Sequence, residues 1–223
     1  MHATPAKVLT PPVAPRGVAI SGLIFSVLFT VGLVLIRLAV PANPKDPGEW
    51  ISDASLRTMV RLGLNLVPFA GIAFLWFIAS LRNRIGLLED RFLATVFLGS
   101  GLLFVALLFA STAVSSATLE SLVEGRIAPQ SETYAMARRL SYTLMNVFGI
   151  KMAAVFMFVT SSIGLRTAFL ARWLAFIGFT VGLVLLLVIT NSAWIALLFP
   201  SWVCLVSVYI LVTENRQQVK SME

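Results

Sequence analysis

One cysteine, Cys204, and one histidine, His2, are all this 223-residue chain has of two residue types on which much chemistry depends. A lone cysteine cannot close an intrachain disulfide. The two together cannot supply a His/Cys zinc site or bis-His haem ligation. A His-dependent triad would require His2 to fold back from the tail. Neither G-x-x-x-x-G-K-[ST] nor G-x-G-x-x-G occurs, so nucleotide chemistry has no visible equipment. Charged residues make up 12% of the chain, about half the share usual in soluble domains. No Asp or Glu falls inside the long apolar runs, so a paired-carboxylate site or a proton relay there is missing. These absences point away from an enzyme and imply no cofactor and no metal. They also exclude a soluble globular domain, a disordered chain and a disulfide scaffold.

What is present is apolar: 58% hydrophobic residues and a mean hydropathy of +0.92. Seventeen Lys and Arg against ten Asp and Glu leave a net +7. The basic residues stand at the ends of apolar runs, as membrane flanks do, which argues against a nucleic-acid partner and for a lipid bilayer. The runs are continuous and do not alternate with period two, so a β-barrel is disfavoured. The first run is too long for the h-region of a signal peptide.

The runs predict an all-α, polytopic transmembrane bundle of six spans, at about 17–40, 57–81, 92–117, 138–165, 173–190 and 193–213. The charge-free stretch 173–213 would reach about 60 Å as one helix, twice the hydrocarbon thickness. Thr190-Asn191-Ser192 is the polar turn that divides it. Residues 1–16 read as a mobile tail and 214–223 as a cytoplasmic tail. An even span number puts both termini on one side. That side carries nine Lys and Arg against seven on the other (Lys151 counted with neither), a small bias toward cytoplasmic termini in a cell membrane. Trp50 and Trp194 fall near the outer interface, Trp173 and Tyr209 near the inner one, with Trp76 and Trp202 deeper as packing residues. Arg37 reads as an interface anchor. Asp53 or Ser52 can cap the second helix, and Ser131 the fourth. Pro68 and Pro200 should kink their helices.

Lys151 is the most informative position. It lies near the middle of the fourth span, where an ammonium costs about 2.5–3.5 kcal/mol on insertion scales. It can be a snorkelling structural lysine, a ligand or pathway lysine, or a lysine facing lipid. Asp53, Arg57, Arg61 and Asn65 recur every four residues on one face of the second helix. Arg139, Tyr142 and Asn146 occupy the outer half of the fourth. If the faces meet, Arg61, Asn65, Arg139, Tyr142 and Asn146 line an outward vestibule with Lys151 at its floor. Such a pocket suits a small anionic or amphipathic molecule. The simpler reading pairs the arginines with Asp53, Glu120, Glu124 and Glu132. Gly178 and Gly182 form a G-x-x-x-G, and Gly22, Ser26 and Thr30 a small-residue stripe. These serve packing within the bundle, a homodimer, or a face for another membrane protein. The rival function is therefore an accessory subunit.

Two segments carry a resemblance. One is Leu64-Asn65-Leu66-Val67-Pro68-Phe69-Ala70-Gly71-Ile72-Ala73-Phe74-Leu75-Trp76-Phe77-Ile78, followed by Glu89–Gly101. The other is Lys151-Met152-Ala153-Ala154-Val155-Phe156-Met157, with Phe199–Val203 and Ser207–Leu211. Together they resemble an uncharacterised actinobacterial family of small six-span membrane proteins. The resemblance implies a bacterial inner-membrane location and makes Lys151 one instance of a basic slot before Met-Ala-Ala-Val-Phe. It brings no catalytic residue.

Overall fold

The structure is a computed structural model, and it describes residues 16–41, 48–85, 91–187 and 194–220. The expected turn at 190–192 and nearly all of the N-terminal tail lie outside the described residues. Those described are helical and contain no strand. α1 spans Arg16–Ala39. A 3-10 turn, Glu49–Ser52, precedes α2, Ala54–Ile85. α3 spans Arg91–Val123. α4, Glu132–Tyr142, passes through a π-helical stretch, Thr143–Gly149, into α5, Ile150–Arg166. α6 is Arg172–Leu187 and α7 is Leu198–Lys220, so the backbone stays helical into the stretch read as a C-terminal tail.

Among the described residues five helical stretches are long and apolar enough to cross a bilayer: Gly17–Ala39, Ala54–Asn83, Arg91–Val123, Glu132–Arg166 and Ile195–Thr213. They suggest a multi-pass membrane protein. Arg172–Leu187 is apolar but has only 16 residues, about 24 Å of helix against a hydrocarbon core of about 30 Å.

Successive helices run antiparallel. Gly17 faces Ser80 and Gly32 faces Gly63, which pairs α1 with α2. Gly71 meets Phe109 and Gly101 meets Ile78, which sets α3 beside α2. Ser111 bonds Ser141 while Phe97 stacks near Phe156, so the α4–α5 rod returns along α3. Gly178 faces Ser161 and Gly182 faces Phe158, which lays α6 on α5; Gly22 meets Ser207 on α7. The α1–α2 crossing is the tightest. A Cβ on Gly63 would stand 2.8 Å from the Gly32 carbonyl oxygen, so only glycine admits this approach of two backbones.

The bundle is filled with phenylalanine. Phe74 lies 4.6 Å from Phe25, 5.3 Å from Phe104, 5.2 Å from Phe156 and 5.5 Å from Phe199, between ring centroids. Most of these pairs are tilted or edge-to-face, the arrangement that aromatic quadrupoles favour. Some buried hydroxyls are satisfied inside their own helices: Ser26 donates to the Gly22 carbonyl and Ser207 to the Val203 carbonyl. An apolar interior offers them no other acceptor. The hydroxyls of Thr160 and Ser161 have no partner among the described residues.

Several helices overrun the bundle at one end, here called the head. α3 has 33 residues, about 50 Å. Its last turns, the start of α2, α4 and the 3-10 turn enclose a second apolar cluster of Ala39, Trp50, Ile51, Val60, Leu64, Leu119, Leu122 and Tyr134. Turn chemistry builds it. Gly48 (φ 84°) turns the chain into Glu49–Ser52, and Gly125 (φ 72°) ends the α3 overrun. Asp53 caps α2, accepting the Ser55 amide at 2.7 Å, and Ser131 caps α4, accepting the Tyr134 amide at 3.2 Å.

The aromatic expectations divide. Trp202 is fully buried, but Trp76, expected to pack, is 69% exposed. It lies on the α2 face opposite Phe74 and Phe77, and one helix cannot turn both faces inward. Trp50 is buried among the residues of the head core. Pro200 falls in the first turn of α7, where its missing N–H asks for no kink; Pro68 does lie within α2.

Candidate functional site: a cavity between two cores

A cavity of about 420 Å³ opens where the bundle core and the head core meet. Phe29, Val67, Leu108 and Met145 form its floor and belong to the bundle core. Trp50, Leu64, Leu119 and Tyr134 form its roof and belong to the head core. The volume lies in the lower part of the range of about 300–1,000 Å³ typical of small-molecule sites.

Its polar groups are donors and hydroxyls. Arg37, Arg138 and Arg139 line it with Tyr142, Asn146, Ser111, Ser115 and Ser141, and among the described residues the lining contains no Asp, Glu, His or Cys. Ser141 is a hub: its hydroxyl lies 3.0 Å from that of Ser111 and 2.6 Å from that of Ser115. Arg138 donates to the Pro41 carbonyl at 2.6 Å. Arg37 lies within electrostatic reach of Arg138 and the Tyr142 hydroxyl. Two buried donors of lining side chains, Arg37 Nε and Trp50 Nε1, have no hydrogen-bond partner among the described residues. An orphaned buried donor costs about 1–3 kcal/mol, more when charged, so an acceptor brought here would be bound on favourable terms.

The π-helical stretch shapes one wall. It presents Thr143, Met145 and Asn146 to the cavity. Asn146 Nδ2 donates to the Tyr142 carbonyl at 3.2 Å, a bond inside this stretch. π-Helical turns are rare and recur at functional sites because they widen the backbone and re-aim side chains.

Three of the six residues expected to bind a ligand therefore come together: Arg139, Tyr142 and Asn146. Three do not. Arg61 and Asn65 are exposed and outside the lining. The cause is the rotation of α2. Gly63 is held against Gly32, so Val60, Leu64 and Val67 face the cavity and the 61–65 face turns away. Lys151 is half-buried and does not line the cavity. It shares its side of the rod with Phe148, 54% exposed, while Ala153, Ala154, Phe156 and Met157 occupy the packed side. The expected vestibule floor is therefore apolar. Gly178 and Gly182 are buried against Ser161, Trp202 and Phe158 of the same chain and serve packing within the bundle.

Arg37 and Trp50, expected at the membrane interface, line the cavity, as do Ser111, Ser115 and Ser141, none of them among the residues expected to bind a ligand. The serines carried a signal: Ser111 and Ser115 stand at i, i+4 on one face of a helix. Arg37 did not, because an arginine at the end of an apolar run is ordinarily an interface anchor. The arginine pairing is mixed. Arg126 holds Glu124 at 2.8 Å, whereas Arg57 donates to the Ile51 carbonyl at 3.1 Å. Among the described residues no group of three or more His, Cys, Asp or Glu side chains gathers to hold a metal. Comparison of the chain with family models, with curated proteins and with solved structures finds no match.

Proposed function

We propose that this protein is a six-span membrane protein with cytoplasmic termini that binds, and carries across its span, a small anionic or amphipathic molecule held in the head-end cavity. The observation that carries the reading is the lining itself: among the described residues, three arginines and a set of hydroxyls with no carboxylate, over an apolar floor. A partly desolvated cavity with one sign of charge attracts counter-ions strongly. Its depth is suitable. Counting about 20 residues of helix as one hydrocarbon thickness places Arg37 at the head-side boundary from Gly17, and Asn146 there from Arg166. The cavity then straddles that boundary, with its arginines at the wet level and its floor in the apolar layer. The sixth span is supported by the apolar, charge-free run 173–213, of which α6 is the first half. Cytoplasmic termini put the head on the outer side. The lining lacks the His, Cys and carboxylate groups that acid–base or nucleophilic catalysis would use, which favours a binding protein over an enzyme. The rival reading, an accessory subunit joined through glycine faces, draws no support from Gly178 and Gly182, since both are occupied within the chain.

The test is thiol access in intact cells. With Cys204 replaced by serine, Ser115→Cys should react with an impermeant thiol reagent added outside, and an amphipathic carboxylate should slow that reaction. Lys220→Cys should react only after permeabilisation. A folded, inserted Ser115→Cys protein that no reagent reaches from outside would sink the reading.

A further inference from the structure

The shape of the cavity says more about its occupant. Along one side α1 and the α4–π stretch face each other across the space without packing extensively on one another; α1 packs on α2 and α7, and α4 on α3. Among the donors of the lining are Arg37 and Trp50, with Tyr142 within electrostatic reach of Arg37. Below them α1 contributes only Leu33 and Phe29 to the lining as it descends, about 12 Å of helix from Arg37 to Phe29. Opposite are Val67, Leu108 and Met145, apolar as well, with Asn146 the polar neighbour of Met145. The result is a one-ended slot, polar at the boundary and greasy beneath. A cavity of about 420 Å³ is too small for a two-chain phospholipid and larger than a short carboxylate needs.

We infer that the ligand is a single-chain amphiphile with an oxyanion headgroup, its head held at Arg37 and Trp50 and its alkyl chain lying between α1 and the π-helical stretch down to Phe29 and Met145. This rests on the binding reading above and names the ligand class. The headgroup accepts from Arg37 Nε and Trp50 Nε1, buried donors of two cavity-lining side chains that have no partner among the described residues. The chain replaces apolar wall for apolar wall and so fixes the orientation. A carboxylate or a phosphate monoester would satisfy the same donors, since both present several acceptor oxygens to a guanidinium.

Calorimetric titration of the full chain in a neutral maltoside detergent tests it, with decanoate, decyl phosphate, decanol and acetate as ligands. Decanoate or decyl phosphate should bind saturably, and whichever binds tighter identifies the headgroup. Decanol and acetate should each bind at least about tenfold more weakly, the loss expected when one charged hydrogen bond or the apolar contact is removed. Arg37→Gln should weaken decanoate about tenfold or more and leave decanol unchanged. Trp50→Phe, which keeps the ring and removes the donor, should weaken decanoate about threefold, so the test does not depend on Arg37→Gln folding. Lys151→Gln, outside the cavity, should change nothing. Acetate binding as tightly as decanoate would overturn the inference and leave a small-anion site standing. Decanol binding as tightly as decanoate, or decanoate affinity indifferent to both Arg37→Gln and Trp50→Phe, would overturn it by removing the headgroup contact. A folded protein that binds none of the four would overturn the inference and the binding reading together.

Discussion

The bundle and the head are held together by different means. In the bundle, the rings that touch across helices are apolar, and buried hydroxyls either turn back on their own helix, as those of Ser26 and Ser207 do, or go unpaired among the described residues, as those of Thr160 and Ser161 do. In the head, elements are joined by polar bonds between them: Ser141 to Ser111 and Ser115, Arg57 to the Ile51 carbonyl, Arg138 to the Pro41 carbonyl. With the head placed beyond the bilayer, as proposed above, the difference follows from solvent. Lipid chains give apolar helices no reason to associate, so close packing and small residues must do it. Water beyond the boundary restores the hydrophobic drive, but a cluster the size of the head core is marginal, and directional bonds add to it. The cavity lies where one regime ends and the other begins.

The comparison breaks most sharply at Phe74, which touches five other rings. Phe74→Ala should destabilise the bundle by about 3–5 kcal/mol, the range for an aromatic cavity mutant. Detergent unfolding curves would show it, with a parallel loss of the head, because the head has no independent scaffold. Less costly is Gly63→Ala. Its methyl would press on the Gly32 carbonyl and on Ile36 Cγ1, each 2.8 Å away, and overpacking of this kind costs about 1–3 kcal/mol. The same unfolding assay on Gly99→Ala is the control, since nothing stands within 4 Å of that position; alanine there should be neutral or slightly stabilising. Equal losses at both sites would show that the α1–α2 approach is not tight.

Ser141→Ala sharpens the other half. It removes the hub of the head's hydroxyl cluster at a cost of about 0.6–2 kcal/mol. Hydrogen exchange should quicken in α4 and in the end of α3, with the Phe74 environment unchanged. Uniform quickening throughout both regions would mean that head and bundle unfold as one unit.

Much of the bundle was legible because each long helix announces itself as a charge-free run. α1, α3 and the α4–α5 rod fall where Arg16, Arg37, Arg91 and Arg166 bracket apolar sequence. Half of the candidate site was legible for a similar reason: Arg139, Tyr142 and Asn146 are polar positions on one helix face. The rotation of α2 was not. Its polar stripe 53–57–61–65 is as regular as a cavity-lining stripe would be, and only the Gly32–Gly63 contact, a pairing across 31 residues of sequence, decides which face turns inward. Lys151 misled for the opposite reason. Its cost in an apolar span is real, but sequence position gives depth and not azimuth, and its azimuth is the side it shares with Phe148. The burial of Trp50 was not legible either, because it depends on the 3-10 turn that packs the ring with Tyr134 in the head core.

The smallest effect belongs to the rim of the head. The Ser55 hydroxyl and amide both donate to the Asp53 carboxylate, at 2.7 Å each, and hold its pKa below the ordinary carboxylate value, with Arg57 adding a favourable charge. A depressed folded pKa means that the unfolded chain takes up the proton first, so the cap's contribution is complete above about pH 4 and fades as pH falls toward the folded value. Asp53 is fully exposed, so the consequence is local. Amide exchange at 55–57, corrected for intrinsic rates, should quicken below that pH while the Ser141 cluster and the Phe74 core stay protected. Asp53→Asn keeps an acceptor for the Ser55 amide and cannot titrate, so its exchange should be flat across the same interval. If Asp53→Asn shows the same acid-dependent fraying, another group controls the start of α2, and the head depends on its apolar cluster more than on its caps.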